Sequence, residues 1–307
     1  MRTKLIFSTL LIFFLVNTSF GQGFVFRVLA SKGANQVKKG ANGETVPLKT
    51  GATLMSGDEL IAANGAYIGL MHKTGRTIEV RNSGITKITD LESKLAKTQN
   101  DVANKYAQFV MNKMNEGDGD INSNYRQNMK ATGAVTRASS SNALKVMLPS
   151  SVDILNPDAI IRWSAAPEVE NPKYVVSIKN IFDEEIFKGE TDKTSMPINF
   201  DDENLSNERL VILTVTVKGQ KDIVSGDYGI KRISADDASA INESLDVLKT
   251  EVPNNSALNK LIYASFYEEN NLILDAITQY EQAIQLSPEV DDFKMLYDDF
   301  LMKNGLQ

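Results

Sequence analysis

The stretch LKTGATLMSGDELIAANGAYIGLMHKTGRTIEV, Leu48–Val80, decides the predicted fold of the N-terminal region. Its glycines suit either a phosphate-binding loop or a series of tight turns between strands. A phosphate-binding loop gathers its glycines between one strand and one helix, and a Lys-Ser/Thr pair or an acidic ribose partner follows. Here short runs of alternating apolar and polar residues separate the glycines, which stand at Gly51, Gly57, Gly65, Gly69 and Gly75. Period-two alternation between glycine-bearing turns predicts a β-meander in which the glycines shape the turns.

The order of leucines and glycines in this stretch resembles the FecR domain, which has an L-x-x-G-D-x-L core followed by a strand and a turn-strand. The matching positions are Leu48, Gly51, Leu54, Gly57, Asp58, Leu60, Asn64, Gly65, Gly75, Ile78 and Val80. The resemblance covers about Gly23 to Leu91, within a domain predicted over residues 22–91, and implies a compact exported β domain. Thr74 departs from the pattern, because the family usually has Asp there. The family's relay of a receptor signal to a sigma factor is not implied, since a predicted signal peptide replaces the cytoplasmic arm and membrane span.

Two polar residues of this domain invite a functional assignment. Asp58 lies between two predicted strands, and we predict that it closes a turn. His72, the single histidine of the chain, is predicted to make a local hydrogen bond on its strand instead of binding a metal.

Residues 1–21, MRTKLIFSTLLIFFLVNTSFG, have the layout of a secretory signal peptide. A basic start precedes an apolar run over Leu5–Val16, and small residues follow at Ser19 and Gly21. The alternative is an uncleaved anchor, but the run is shorter than the ~20 apolar residues that a spanning helix needs. We therefore expect cleavage near Gly21 and a mature chain without a membrane span, periplasmic or associated with the cell surface.

The composition excludes several classes of function. The chain has 307 residues, a formal net charge of -6, no cysteine and one histidine. An acidic surface does not attract nucleic acid, and without cysteine there are no disulfides, zinc thiolates or thiol nucleophiles. The sequence predicts no catalytic residue, no cofactor and no metal site, and the protein is expected not to be an enzyme.

The region after the first domain changes period. Apolar residues spaced by three, four and seven predict an amphipathic helix over residues 92–114 that packs on the β domain, with a coiled-coil seam as the alternative. Residues 115–142 are poor in large apolar residues and predict a linker. Within it Asp118, Asp120 and Asn122 imitate the start of a calcium loop, but Ser123 replaces the expected glycine.

Residues 143–233 predict a β-sandwich of seven short strands separated by turn residues. A strand ending in Trp163-Ser164 and then a Tyr174-Val-Val strand loosely resemble fibronectin type III and Ig-like domains. Trp163 is predicted to lie in the core, with a carbohydrate platform as the alternative.

Residues 234–307 predict an all-α domain. Small, aromatic and proline positions over about 257–290 resemble a tetratricopeptide repeat, and they are Ala264, Tyr267, Ala276, Tyr280, Ala283 and Pro288. Lys260 and Tyr263 stand where the family usually has Trp and Gly. The resemblance implies protein partners; an ordinary helical bundle is the alternative.

For these partners the sequence-based candidates are Tyr263, Tyr267, Asn271 and Tyr280. The acidic residues of the same helices are expected to form a solvated face, and they are Glu268, Glu269, Asp275, Glu281 and Asp291.

The sequence thus predicts a multidomain chain of mixed class: a FecR-like β domain, an Ig-like sandwich and a repeat-type helical end. Its expected role is that of an exported, non-catalytic bacterial envelope protein that acts as an interaction or scaffold module. The expected partners are envelope proteins, through the helical repeat. The alternative is a glycan- or ligand-binding sensor that uses the FecR-like domain.

Overall fold

The computed structural model describes residues 23–95, 101–116 and 144–307. The predicted signal peptide, most of the predicted linker, and the calcium-like residues Asp118, Asp120 and Asn122 lie outside the described residues.

The first described part, residues 23–95, is called the N-terminal β unit. Its strands are β1 Phe26–Lys32, β2 Gln36–Lys38, β3 Thr45–Pro47, β4 Thr53–Leu54, β5 Glu59–Ala62, β6 Tyr67–His72, β7 Thr77–Val80 and β8 Gly84–Lys87, followed by helix α1 Ile88–Ser93. They form two antiparallel sheets in the orders β4-β1-β6-β7 and β3-β2-β5-β8. Phe26, Leu60 and Ile68 are among the residues buried between the sheets.

The glycine-rich stretch is β structure, as predicted, but the predicted meander is wrong in its order. Consecutive strands β5 and β6 belong to different sheets, so the chain crosses between layers. Gly51, Gly65 and Gly75 have positive φ angles and do shape turns. Gly69 does not, because it lies inside β6.

Residues 144–233 are called the second β unit. Its strands are β9 Ser151–Ile154, β10 Asp158–Arg162, β11 Tyr174–Lys179, β12 Glu185–Thr191, β13 Ser195–Asn199, β14 Leu210–Val217, β15 Gln220–Val224 and β16 Tyr228–Arg232. The larger sheet has the order β12-β11-β14-β16-β9, with β15 also paired to β14, and β10 pairs with β13. Trp163 is buried edge-on to Tyr174, with ring centroids 5.5 Å apart, so its predicted place in the core is confirmed.

Residues 234–307 are called the helical unit. It contains α3 Ala235–Glu251, α4 Ala257–Glu269, α5 Ile273–Leu286 and α6 Asp291–Lys303. The hydroxyls of Ser234 and Ser256 cap α3 and α4 by accepting backbone N–H groups.

Helix α2, Asp101–Glu116, replaces the later part of the helix predicted over 92–114, while α1 ends at Ser93. As predicted, this helix contacts the β domain, since its backbone at Asn104 lies directly against Gly75, but most of its packing is against α3, α4 and α6. It therefore joins the helical unit from a distant place in the sequence.

One hydrophobic core runs through all the units. It includes Tyr67 and Met71 on the outer face of the β1–β6 sheet, Ala103 and Val110 of α2, and much of the second β unit and the helical unit. None of the helices in the part of the chain that the structure describes is long and apolar enough to cross a membrane.

Candidate interaction site

The residues predicted to bind partners are mostly in the interior. Tyr263, Tyr267 and Tyr280 are buried, and Asn271 is exposed in the turn between α4 and α5 with φ of 56°. The Tyr263 hydroxyl donates to the backbone oxygen of Val252 at 2.7 Å, and burial raises the pKa of Tyr263 to about 12. In this conformation a partner reaches Asn271 but not the three tyrosines.

The contacts of Tyr280 are all made by other residues of the same chain. Its ring stacks on Tyr297 at 5.5 Å, and its hydroxyl donates to Glu268, the same carboxylate that binds Lys113 of α2. Burial raises the pKa of Tyr280, and the nearby charge of Glu268 adds to this shift. The residue therefore joins α5, α6, α4 and α2.

Helix α4 lies against the outer face of the β1–β6 sheet. Leu258 covers Gly69 so closely that a Cβ at position 69 would lie 2.9 Å from Leu258 Cδ1. Glu79 on β7 accepts the backbone N–H of Leu258 at 3.1 Å, at the positive end of the α4 dipole. Gly69 lies inside a strand, as the alternation over Ala66–His72 predicts, and its missing side chain lets helix α4 approach the sheet.

Arg81 strengthens the rim of this contact. Its guanidinium lies 4.7 Å from the centroid of the Tyr67 ring and pairs with Glu289 at 3.1 Å. The Tyr67 ring also meets Phe293 of α6 edge-on, with centroids 5.7 Å apart. The N-terminal β unit thus contacts the helical unit near the N-terminal ends of α4 and α6.

Helix α5 meets the second β unit through three polar residues spaced by three, Asp275, Thr278 and Glu281. Asp275 accepts the backbone N–H groups of Leu155 at 3.0 Å and Asn156 at 2.9 Å. This spacing places the three side chains along one face of the helix.

Two further bonds continue this contact along strand β10. Thr278 accepts the backbone N–H of Ile160 at 3.0 Å. Glu281 forms a bidentate pair with Arg162, in which Nη2 lies 2.7 Å from Oε2. Because Thr278 of α5 accepts a backbone N–H group of β10, the helix covers an edge of the two-stranded β10–β13 sheet.

The pKa values of Asp275 and Arg162 are shifted at this face of α5. Asp275 is 2% exposed, and desolvation raises its pKa to about 6 although hydrogen bonds from Leu155 and Asn156 oppose the shift. Glu281 is also 2% exposed, and its hydrogen bond to Arg162 raises the pKa of that guanidinium. The expectation that Asp275 and Glu281 form a solvated face is wrong, because the second β unit covers them.

Asp58 and His72 have local partners. Asp58 accepts from Lys39 Nζ at 2.8 Å and from the backbone N–H groups of Gly40 and Met55, both at 3.0 Å. Burial opposes ionisation, but these donors prevail and lower the pKa of Asp58. The predicted turn-closing role of Asp58 is therefore confirmed.

For His72, Nδ1 lies 2.7 Å from Thr74 Oγ1 and Nε2 lies 3.4 Å from Glu92 Oε1. Burial lowers the pKa of His72, although Glu92 opposes the shift. The predicted local hydrogen bond is present at Thr74, the position that departs from the FecR pattern. In the described parts of the chain no three His, Cys, Asp or Glu side chains are grouped to hold a metal ion.

The β11–β12 turn presents the most exposed aromatic side chain of the described residues. Ile181 and Phe182 are 62% and 77% exposed. The buried Asn180 holds the turn, because its Oδ1 accepts the backbone N–H groups of Phe182 at 3.0 Å and Glu184 at 3.1 Å. We name residues 180–184 the hairpin tip; it was not predicted, although an apolar pair between the turn-forming residues Asn180 and Asp183 is visible in the sequence.

Two of the clefts that adjoin the helical unit lie beside α4. One of about 420 Å³ lies between β7 and the α3–α4 connection and is lined by residues that include Arg76, Glu79 and Asn255. The other, of about 510 Å³, lies between α2 and α4 beside Phe109 and Ser265.

Compared with known proteins, the chain matches no protein-family model and has no significant similarity to a curated protein.

Proposed function

We propose that the protein is an exported, non-catalytic interaction scaffold of a bacterial envelope, in which a FecR-like domain, an Ig-like sandwich and a repeat-type helical end form one body. The observation that carries the proposal is the hairpin tip. Large exposed apolar side chains in contact with water mark binding surfaces when they stand together. The Asn180 hydrogen bonds fix the turn before any partner arrives, which reduces the entropy lost on binding.

Several titratable side chains form hydrogen bonds or ion pairs with neighbouring residues of the fold, which supports the non-catalytic part of the proposal. Asp58, His72, Asp275 and Glu281 each bind a neighbour within the fold. An exported location rests on the sequence of residues 1–21, which lie outside the described part.

The test compares three immobilised baits that start at residue 22: the natural sequence, Ile181→Ser/Phe182→Ser, and Asp192→Ala/Lys193→Ala. The control changes the exposed β12–β13 turn of the same unit. We expect envelope proteins that bind the natural sequence and the control but not the tip variant. Retention of the same proteins by the tip variant would exclude the tip as the interface. Truncation after Ile233 is unsuitable, because it would expose the buried faces of both β units.

A second candidate function is the binding of a glycan or another small polar ligand by the N-terminal β unit. The cleft of about 420 Å³ favours it, because Arg76, Glu79 and Asn255 line it with hydrogen-bonding groups. A screen of glycans by thermal shift tests it. A ligand that stabilises the natural chain but not an Asn255→Ala variant would support this function over the scaffold.

A further inference from the structure

Helix α2 occupies the helical unit in the way that a bound amphipathic helix would. Its buried residues recur at intervals of three and four along the helix, and they are Ala103, Tyr106, Ala107, Val110, Met111 and Met114. Tyr106 meets Phe266 of α4 edge-on, with ring centroids 5.3 Å apart. Spacing of this kind is typical of a helix that lies in a groove.

Three acidic side chains of the helical unit hold α2 at both ends. Glu251 accepts the backbone N–H of Ala103 at 2.8 Å, in the first turn of α2. Glu268 pairs with the buried Lys113 at 2.6 Å, and Glu269 pairs with the exposed Lys105 at 2.5 Å. The groove therefore suits a helix whose first-turn N–H groups are accessible to Glu251 and whose lysine reaches Glu268, while the exposed Lys105–Glu269 pair adds little.

The fit of α2 to this groove is incomplete. The cleft of about 510 Å³ remains between α2 and α4, and Phe109 at its border is 41% exposed. The sequence of α2 contains Asn104, Asn112 and Asn115, and asparagine disfavours helix. Most of the stability of a helix in a protein comes from the packing of its amphipathic face, so α2 depends on its groove.

We propose that the groove formed by α3, α4 and α6 is a binding site for an amphipathic helix of a protein partner, and that α2 is its occupant within the chain. The partner helix carries apolar residues with the α2 spacing and a lysine that reaches Glu268, and it replaces α2 on binding. The inference rests on the proposed interaction function and names the chemistry of its partner.

The test uses the full chain from residue 22 and a fluorescein-labelled peptide with the sequence DVANKYAQFVMNKMNE of residues 101–116. In the variant Tyr106→Ala/Lys113→Ala the internal helix is weakened while the groove is unchanged. We expect this variant to bind the peptide at least tenfold more tightly than the natural chain, as measured by fluorescence anisotropy. The reason is that a tethered helix competes at an effective concentration on the order of millimolar.

Two peptide variants test the geometry with matched chemistry. The Lys113→Ala peptide loses a buried ion pair, and the Lys105→Ala peptide loses an exposed one. We expect at least a tenfold loss of affinity for the first and less than a threefold loss for the second. Equal losses would overturn the proposed binding mode.

A locked chain tests whether the peptide uses the same groove. The sequence has no cysteine, so Lys105→Cys/Glu269→Cys accepts a short bismaleimide bridge between α2 and α4 and nowhere else. Bridging is expected to abolish peptide binding by the weakened variant; persistent binding would place the peptide at another surface.

Circular dichroism first verifies that each variant is folded, and Lys113→Ala alone is the milder replacement if the double variant is not. A folded, weakened chain that binds no peptide would show that α2 is a permanent core helix. That failure would leave the hairpin-tip proposal standing, because the peptide experiment requires no natural partner.

Discussion

The helical unit contacts the two β units through faces whose central contacts differ in chemistry. On the N-terminal side, Leu258 lies directly over Gly69, and the contact depends on close approach of apolar atoms to a strand. On the other side, Asp275, Thr278 and Glu281 bind the N–H groups and the guanidinium of a strand region. The difference follows from what each β unit offers: a sheet face accepts a side chain, whereas a sheet edge requires hydrogen-bond partners.

We call the contact of Asp275, Thr278 and Glu281 with the second β unit the polar face, and the contact of Leu258 with Gly69 the apolar face. The largest effect on stability is expected from a change in the polar face. Arg162→Met leaves Glu281 buried without its cation, and we expect the free energy of unfolding to fall by about 3–5 kcal/mol. Urea denaturation measures it. The double variant Arg162→Met/Glu281→Leu removes both charges and should recover most of the loss. If the double variant is as unstable as the single one, packing and not the uncompensated charge governs this face.

The pH dependence of the same face gives the next effect. The pKa of Asp275 is about 6 in the folded protein, above its ordinary value of 3.8. The folded state binds the proton of the Asp275 carboxyl group more tightly than the unfolded state does. The group therefore contributes most stability below pH 4, and this contribution is lost as the pH rises through 6. We expect the natural chain to gain up to about 3 kcal/mol relative to Asp275→Asn between pH 7 and pH 4.

Denaturation midpoints of both chains at several pH values provide the test, since the other titrating groups are common to the two. A constant difference would mean that burial does not shift the pKa of Asp275. A difference of opposite sign would mean that the hydrogen bonds to the Asp275 carboxylate outweigh its desolvation.

The apolar face is tested by adding volume. Gly69→Val forces Leu258 away from β6, and we expect a loss of about 1–3 kcal/mol in the free energy of unfolding. Leu258→Ala makes room for the new side chain, so the double variant should cost at least ~0.5 kcal/mol less than the sum of the two single variants. Additive losses in thermal or urea denaturation would show that the two side chains do not meet.

The smallest effect is expected at the rim of the apolar face. Lys32 and Asp291 lie 3.6 Å apart, and both side chains are more than half exposed. Water and salt screen such a pair, so Lys32→Ala should change stability by less than ~0.5 kcal/mol. A larger loss at low salt would mean that charge at the rim contributes as much as packing.

Several features of the fold were predictable because they depend on local pattern. Alternating residues and turn glycines predict the β structure of Leu48–Val80, and apolar spacing predicts α2 and the four C-terminal helices. The core position of Trp163 and the turn role of Asp58 also follow from residue type and neighbours. Each of these depends on contacts that are close in sequence or on burial common to a residue type.

The candidate sites were less predictable from the sequence. Whether a residue is accessible to a partner depends on which neighbouring unit packs over it. Tyr280 and Asp275 have the pattern of residues on an open repeat, yet neighbouring elements bury both. No periodicity tells that Gly69 admits Leu258, which is 189 positions later in the chain.

The sequence by itself determined the type of the elements and the division into two β-rich parts and a helical end, since hydrophobic period and turn residues act locally. Tertiary structure alone decided that α2 joins the helical unit and that Arg162 meets Glu281. Those pairings depend on how separate surfaces complement each other in shape and charge, and many surfaces of similar composition satisfy the same local pattern.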